Sequence, residues 1–213
     1  MILGGVWGGA LPSIVYTAQA SENSLANPKT FAGMSFGAEN PTRFMLAGIG
    51  WYSTTATPPT VTIGGVTATL LVSALDGTQI RSGLFIASLP TGTSGSVVVS
   101  LGGTLTLTSA VLWSLTNVTS STPYATSADN IDPITLNLNV DGLGVAAGFV
   151  IGNAGTLGAI GWTGLVLDVG VAINASNRFS GASYTATTAQ TPLVCSATAT
   201  GLGFRSGVAA SFR

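Results

Sequence analysis

The chain has very little charge. Only 6% of its 213 residues are Asp, Glu, Lys or Arg, whereas a soluble domain usually contains roughly 25%. Six basic and seven acidic side chains leave a formal net charge of −1. They cannot cover the surface of on the order of 9,000 Å² that a chain of this mass exposes. Because a net charge near zero promotes association, we expect other protein to cover much of this surface.

Histidine is absent altogether. Without it the chain lacks the commonest general base and metal ligand, and neither a Ser-His-Asp triad nor a Cys-His pair can form. The only lysine is Lys29 in "NPKTF", where the neighbouring proline predicts a solvated loop rather than a catalytic Ser-Lys pair. No glycine-rich phosphate-binding motif occurs. We therefore predict no enzymatic activity, no catalytic residue and no cofactor.

The carboxylates and the single cysteine offer little chemistry. Most Asp residues stand in turn sequences, where the side chain bonds its own backbone. Asp129 and Asp132 in "SADNIDP" are close enough in sequence for a Ca²⁺ site to be conceivable, but their spacing matches no EF-hand, and we predict no metal site. Cys195 is alone, so no disulfide forms within the chain. Its alternating surroundings predict a small, buried, apolar residue.

The basic residues stand singly along the sequence. Binding to nucleic acid needs clustered Lys and Arg, and so does attraction to an anionic membrane surface. We therefore predict neither nucleic acid nor membrane as a partner.

Alternating apolar and polar residues predict β-strands through most of the chain, and helical periodicity is nearly absent. Val, Thr, Ile and Phe are frequent in these segments, as suits a pleated, half-buried surface. A strand spacing of roughly ten residues is typical of an antiparallel sandwich of jelly-roll type. The predicted strands are 30–36, 43–52, 59–63, 66–73, 80–89, 96–101, 109–117, 134–140, 144–152, 165–168, 178–185, 193–200 and 207–212. Between them, Gly64-Gly65 in "IGG" predicts a tight hairpin, and the "DG" pairs at Asp76 and Asp141 predict turns.

The two halves of the chain resemble each other weakly. "TFAGMSFGAENPTRFMLAGIG" resembles "ITLNLNVDGLGVAAGFVIGN", since each is an alternating strand, a polar turn and a small-residue apolar strand. We predict one β-sandwich domain over 29–213 with pseudo-repeat halves 29–117 and 132–213. The segment "TSSTPYATSADNIDP", 119–133, is the predicted crossover, and two tandem β units are the alternative.

Residues 1–28 precede this domain. The stretch "MILGGVWGGALPSIVYTAQA" is apolar, has no basic start, and contains Gly and Pro that would interrupt a helix. We interpret it as an ordered arm or first strand. Trp7 stands between glycines, so it is a plausible anchor in a neighbouring subunit. The candidate subunit-contact residues are Ile2, Leu3, Val6, Trp7 and Leu11.

The tryptophans separate two functional hypotheses. Trp51 and Trp113 lie inside apolar strands, which predicts core packing. Exposed aromatic side chains grouped on one sheet face would instead stack on sugars. The alternative function is therefore a carbohydrate-binding or adhesin-type β-sandwich module that recognises a host surface.

The segments "VTIGGVTATLLVS", "LFIASLPTGTSGSVVVSL" and "AVLWSL" together resemble a pattern found in bacteriophage structural proteins. In that pattern a strand ending in "IGG" precedes a "PTGTSG" loop and a closing strand with a Trp or Tyr. The terminal "GVAASFR" also looks like the end of such chains. The resemblance covers 30–117 well and 134–213 more loosely, and the N-terminal "MILGGVWGGAL" lies outside it.

This resemblance implies a small virion component without catalytic residues. Such a protein would be a capsid decoration or head-fibre protein, or a minor tail protein. Contacts with copies of itself, as a homo-oligomer, and with other virion proteins such as the major capsid protein would hold it in place. A neutral Ser/Thr surface could hydrogen-bond to neighbours without desolvating charges, and exposed sheet edges could serve as joints.

Overall fold

The computed structural model describes residues 10–55, 57–75, 79–153, 158–201 and 204–213. These residues form 17 β-strands in four antiparallel sheets that pack face to face, which confirms the predicted all-β sandwich. No helix occurs in these ranges, so none of them holds a helix that is long and apolar enough to cross a membrane.

Nine strands make up the first half of the fold, called unit 1. They are β1 (Ser13–Glu22), β2 (Lys29–Ser35), β3 (Phe44–Tyr52), β4 (Thr60–Ile63), β5 (Val66–Thr67), β6 (Thr69–Leu75), β7 (Ile80–Ser88), β8 (Ser94–Ser100) and β9 (Leu107–Thr116). The inner sheet of unit 1 has the strand order β1-β9-β3-β7-β6, and its outer sheet has the order β2-β8-β4-β5. Gly64 and Gly65 turn from β4 into β5 with φ of 59° and 83°, which confirms the predicted hairpin.

Eight strands make up the second half, called unit 2. They are β10 (Ala125–Asp129), β11 (Ile134–Val140), β12 (Val145–Asn153), β13 (Gly161–Thr163), β14 (Val166–Ala172), β15 (Asn177–Thr185), β16 (Gln190–Thr198) and β17 (Phe204–Phe212). The inner sheet of unit 2 has the order β10-β17-β12-β15-β14, and its outer sheet has the order β11-β16-β13.

Unit 1 has the topology of a jelly roll. Only Ala68 separates β5 from β6, so the two pieces count as one strand that passes from the outer to the inner sheet. When β5 and β6 are counted together as strand 5, β7, β8 and β9 become strands 6, 7 and 8. The order of the inner sheet is then 1-8-3-6, followed by the second half of strand 5. The outer sheet reads 2-7-4 followed by the first half of strand 5. This arrangement of eight strands in two sheets is that of the jelly roll.

Unit 2 repeats the topology of unit 1. In its inner sheet β10, β17, β12, β15 and β14 take the places of β1, β9, β3, β7 and β6. The ladder registers agree as well, because Phe44 pairs with Leu115 at the start of β3 and Val145 pairs with Phe212 at the start of β12. The repeated pattern therefore includes β1, which lies within residues 1–28.

The four sheets form four layers with three apolar interfaces. One core cluster lies between the two sheets of unit 1 and includes Phe85 and Val97. A second lies between the two inner sheets and includes Trp113 and Phe149. A third lies between the two sheets of unit 2 and includes Ile134. The inner strands are buried on both faces, and β3, β7, β9 and β12 therefore contain near-continuous apolar and small residues.

The two inner sheets pack with approximate two-fold symmetry. The equivalent strands β3 and β12 contact each other at the centre. Strand β15 contacts β9 as its counterpart β7 contacts β17, although the contact between β7 and β17 is the more extensive of the two. Ser82 and Ser206 join the layers through hydroxyl groups 2.8 Å apart. A Cβ placed on Gly181 would lie 2.8 Å from the Trp113 indole, so the glycine makes room for the ring. The chain thus contains its own pseudo-dimer.

The structure corrects the predicted elements in three places. The sequence assigns 119–133 to a crossover, but β10 lies within it. The sequence indicates no strand at Gly161–Thr163, where β13 forms, and β14 continues to Ala172 beyond the predicted end at 168. These strands lie at sheet edges, where one side of the strand is unpaired and the apolar alternation is weak, so the sequence signal is faint.

Candidate interaction surface

Most of the basic side chains are inside the protein. Lys29, Arg43, Arg81 and Arg205 are all buried, with at most 5% of each exposed. Arg178 is half-buried. Among the basic residues that the structure describes, Arg213 is the one that is exposed. Because the chain has only six basic residues, its exterior is poorer in charge than its composition indicates.

Arg43 shows what these buried cations do. Its guanidinium donates to six backbone carbonyl oxygens, those of Phe36, Gly37, Ala38, Leu89, Thr91 and Gly92. The donor–acceptor distances lie between 2.6 and 3.3 Å. Burial lowers the pKa of Arg43, and the nearby Glu39 opposes this effect. The side chain thereby ties the loop after β2 to the loop between β7 and β8.

Lys29 acts in the same way, and the prediction of a solvated loop for it is wrong. Its side chain is fully buried, and its ammonium group donates to the carbonyl oxygen and the hydroxyl of Ser24. Burial lowers the pKa of Lys29, and Glu22 partly offsets this. Pro28 does mark a turn, but Lys29 begins β2 and its side chain points inward. There the carbonyl oxygen of Ser24 needs a hydrogen-bond donor.

The two carboxylates considered for Ca²⁺ already have partners within the protein. Asp129 accepts from the backbone N–H groups of Ile131 and Thr135 at 3.0 and 2.7 Å, which confirms the predicted turn role. Asp132 forms an ion pair with Arg205. The pair considered for Ca²⁺ therefore has other partners, and the described residues contain no group of three or more potential metal ligands. Asp76 lies outside the described residues.

The sheet edges are irregular. Four of the strands that end a sheet contain a bulge, namely β1, β2, β6 and β14. Such bulges bend a strand and interrupt the row of free backbone groups, so these edges are poor templates for another strand. Bulges protect the edges of this fold where other proteins use lysine. The expectation that sheet edges serve as joints therefore gains no support from their geometry.

The chain's first described residues cross one end of the molecule. This arm-exit end consists of Leu11, Pro12, Asn117, Thr119, Leu143 and Arg213, with neighbouring turn residues. The Asn117 side chain donates to the Leu11 carbonyl oxygen at 3.1 Å, and its own backbone has a left-handed φ of 58°. Thr119 donates twice to the carbonyl oxygen of Arg213. The start, the middle and the end of the chain are thus fastened together here.

Apolar side chains face solvent at the arm-exit end. Leu11 is 59% exposed and Leu143 is 46% exposed, and both line the same depression. The Arg213 guanidinium lies 4.9 Å above the ring centre of Tyr124, where a cation–π contact holds the chain terminus against the crossover. A partner that covers this end would bury apolar area together with two charged side chains, Asp141 and Arg213.

The structure places one of the five predicted subunit-contact residues. Leu11 is exposed at the arm-exit end, whereas Ile2, Leu3, Val6 and Trp7 lie outside the described residues. The sequence analysis does not single out three other residues at this end. Leu143 and Arg213 line the same depression as Leu11, and Tyr124 lies against Arg213. The signal in the sequence is weak, since these three residues are far apart along the chain and become neighbours only through the duplicated fold.

The predicted core roles of two tryptophans and the cysteine are confirmed. Trp51, Trp113 and Cys195 are fully buried. Trp162 is half-buried, and its indole donates to the Ser180 hydroxyl at 2.8 Å. The described tryptophans therefore form no exposed aromatic group on a sheet face.

The fold and the surface define an all-β protein built from two stacked jelly-roll-type units, with an exterior that has few charged groups and from which most of the cations are missing. No family model, no curated protein and no solved structure matches this chain.

Proposed function

We propose that the protein is a non-enzymatic structural subunit of a bacteriophage virion, either a capsid decoration or head-fibre protein or a minor tail protein. It works by holding other protein subunits, both copies of itself and virion proteins such as the major capsid protein. The resemblance of residues 30–117 to phage structural proteins supports this proposal. So does the jelly-roll topology, which occurs in viral capsid proteins, although it also occurs in lectins and cupins.

The observation that carries the proposal is the inward placement of four of the six basic side chains. Lys29, Arg43, Arg81 and Arg205 are buried, so an exterior that already has few charged groups loses four of its cations. Neutral Ser and Thr groups can exchange hydrogen bonds with a neighbour without the desolvation cost of an ion. A protein that spends its existence covered by other subunits tolerates such an exterior, whereas a freely dissolved protein gains solubility from charge.

The carbohydrate-binding alternative needs an exposed aromatic platform. Trp51 and Trp113 are buried, and Trp162 is half-buried with its indole nitrogen bonded inside the protein. Tyr124 is 41% exposed but lies beneath Arg213. The described surface therefore favours the structural role.

Gradient-purified particles from phage-infected cells test this proposal. We expect quantitative mass spectrometry to find the chain at a fixed number of copies per particle, and cryo-electron microscopy to show it on the head or tail. A chain found in the soluble fraction and missing from purified particles contradicts a virion role. Binding of the full chain to a glycan array, in the same preparation, would support the alternative instead.

A further inference from the structure

We propose that unit 2 contains a binding site for one oxyanion, a carboxylate or a phosphate group, centred on the guanidinium of Arg178. The site lies at the end of β12 that is remote from the arm-exit end. It does not depend on the proposed function, because binding to the purified chain tests it whether or not the protein belongs to a virion.

Four residues form a row across the inner sheet of unit 2, called the basic row. Gly152 of β12 pairs with Arg178 of β15 on one side and with Arg205 of β17 on the other. Arg178 also pairs with Ala172 of the edge strand β14. Directly paired residues project from the same face of a sheet. This face packs on the outer sheet of unit 2, since Val150, two residues before Gly152, belongs to the core between those sheets.

The equivalent row of unit 1 is closed. Its residues, in the same strand order, are Thr108, Trp51, Arg81 and Leu75. Arg81 thus stands between Trp51 and Leu75, and only 5% of it is exposed. Its guanidinium donates to the carbonyl oxygen of Thr55. The arginine of unit 1 is therefore a structural residue between two large apolar neighbours.

Unit 2 keeps the arginine at this place but has small residues on both sides of it. Gly152 stands where unit 1 has Trp51, and Ala172 stands where unit 1 has Leu75. Arg178 is half-buried, and Ala172 beside it on the edge strand is exposed. A ligand can therefore approach the guanidinium from the edge of the sheet.

Arg178 lacks a partner of its own. Within the described part of the chain it forms no ion pair, and its Nε is buried without a hydrogen-bond acceptor, which is a costly arrangement. The carboxylates on either side of the basic row are engaged elsewhere. Asp132 forms an ion pair with Arg205, and Asp168 on β14 accepts from the Trp113 indole.

The chemistry of the basic row selects an oxyanion. An arginine presents its N–H donors in a planar fork that matches two oxygens of a carboxylate or a phosphate. Arg205 adds a second positive charge on the same face, with its Cα two strand spacings, roughly 10 Å, from that of Arg178. Asp132 offsets one of these two charges. One positive charge is left for a ligand, and a neutral ligand would leave it uncompensated.

Titration of the purified full chain with sodium phosphate and with sodium acetate tests the site, at an ionic strength held constant with sodium chloride. We expect isothermal titration calorimetry to show saturable binding of one anion, and the thermal midpoint to rise with the concentration of that anion. Arg178→Gln should weaken binding roughly tenfold or more, the range for losing hydrogen bonds to a charged group. Binding of phosphate alone would assign the site to a phosphorylated ligand, and binding of acetate would assign it to an acidic side chain of a neighbouring protein.

Ala172→Leu tests the opening of the site. It restores the leucine of unit 1 beside Arg178 and leaves both guanidinium groups in place. We expect it to weaken anion binding clearly while the thermal midpoint in chloride stays unchanged. If Arg178→Gln does not fold, Arg178→Lys gives the same comparison, because lysine keeps the charge but lacks the fork.

Arg213→Gln is the matched control, since it removes a cation at the arm-exit end and should leave anion binding unchanged. Equal weakening by Arg178→Gln and Arg213→Gln would indicate an adventitious ion only and would overturn the inference. A folded parent chain that binds neither anion saturably overturns it as well. So does binding that persists unchanged in both Arg178→Gln and Ala172→Leu.

Discussion

Gly48 and Phe149 occupy equivalent positions in the two units and meet each other in the middle of the fold. Each is the fifth residue of its strand, in β3 and β12. A Cβ on Gly48 would lie 2.7 Å from Cδ2 of the Phe149 ring. Gly50 and Ile151, two residues further along the same strands, repeat this relationship at 2.7 Å. Equivalent residues that face each other mark a pseudo-two-fold axis. At each of these two positions the large side chain of one unit fills the space that the glycine of the other unit leaves open.

We predict that Gly48→Ala destabilises the protein by about 1–3 kcal/mol, because the added methyl group overpacks a closed interface. Phe149→Ala should cost about 3–5 kcal/mol through the cavity that it leaves. Urea unfolding measures both. Gly102→Ala is the matched control, since a Cβ there meets no atom within 4 Å, and its stability should stay within about 0.5 kcal/mol of the parent.

The exchange of the two side chains tests the symmetry itself. Gly48→Phe alone should prevent stable folding, because two large side chains would then compete for one space. Adding Phe149→Gly should restore much of the lost stability, since the axis makes the two positions nearly interchangeable. A double variant no more stable than Gly48→Phe alone would show that the two positions are not equivalent.

We predict that Arg43→Gln lowers the free energy of unfolding by about 3 kcal/mol or more, because several buried carbonyl groups would each lose a charged donor. The shorter side chain cannot serve carbonyl groups on both loops, and buried acceptors without donors are costly. Arg213→Gln at the exposed chain terminus is the control and should change stability by about 1 kcal/mol or less, the scale of an exposed cation–π contact. Equal losses for the two variants would contradict a clamp at Arg43.

Asp168 should stabilise the fold through Trp113. The Trp113 indole, which is otherwise buried, donates to Asp168 Oδ2 at 2.8 Å, and β14 has its bulge at this aspartate. Burial, together with the Asp168 carboxylate, raises the pKa of the neighbouring Tyr16.

We predict a loss of about 1–3 kcal/mol for Asp168→Leu, because the indole N–H would lose its acceptor. Asp168→Asn keeps an acceptor oxygen and should lose less than half of that. Chemical unfolding monitored by tryptophan fluorescence gives both values. If the Asn and Leu variants are equally unstable, the hydrogen bond is not what matters at this position.

Cys195 should make stability depend on alkaline pH. Burial raises the pKa of its thiol from 9.0 to about 11. Between these values the unfolded chain loses the proton while the folded chain keeps it, so the stabilisation is complete below pH 9 and is lost as the pH rises towards 11. The expected slope approaches about 1.4 kcal/mol per pH unit.

Cys195→Ala isolates this effect. The lowered pKa of Lys29 gives a slope of the opposite sign at alkaline pH, but the parent and the variant share it, and the difference between their unfolding curves removes it. We expect that difference to change between pH 9 and 11 and to be constant from pH 6 to 8. A constant difference over the whole range would contradict the prediction.

The sequence predicts what depends on neighbours along the chain. The glycine pair at Gly64, the alternation in the core strands and the burial of Trp113 and Cys195 are all local patterns, and the structure confirms them. The repeated segments likewise follow from comparing two stretches of sequence.

The burial of the cations could not be predicted in this way. Arg43 bonds to carbonyl groups of residues up to 49 positions away, and a carbonyl group leaves no trace in the sequence because every residue has one. The burial of Lys29 could not be predicted for the same reason, since its main acceptor is the backbone carbonyl oxygen of Ser24. The arm-exit end also needs the fold, since Leu11 and Asn117 are 106 residues apart and meet only when β1 pairs with β9.

The duplicated body has a consequence for how such a molecule changes over generations. In a dimer of identical chains, every substitution is imposed on both sides, so a Phe at the axis would confront another Phe. Fusion of the two copies frees each side to vary alone, as Gly48 and Phe149 demonstrate. The two outer sheets, on opposite faces of the stack, have the same freedom. One face can therefore be selected to fit one neighbour while the other adapts to a different one, with their ratio fixed at one to one by the peptide chain.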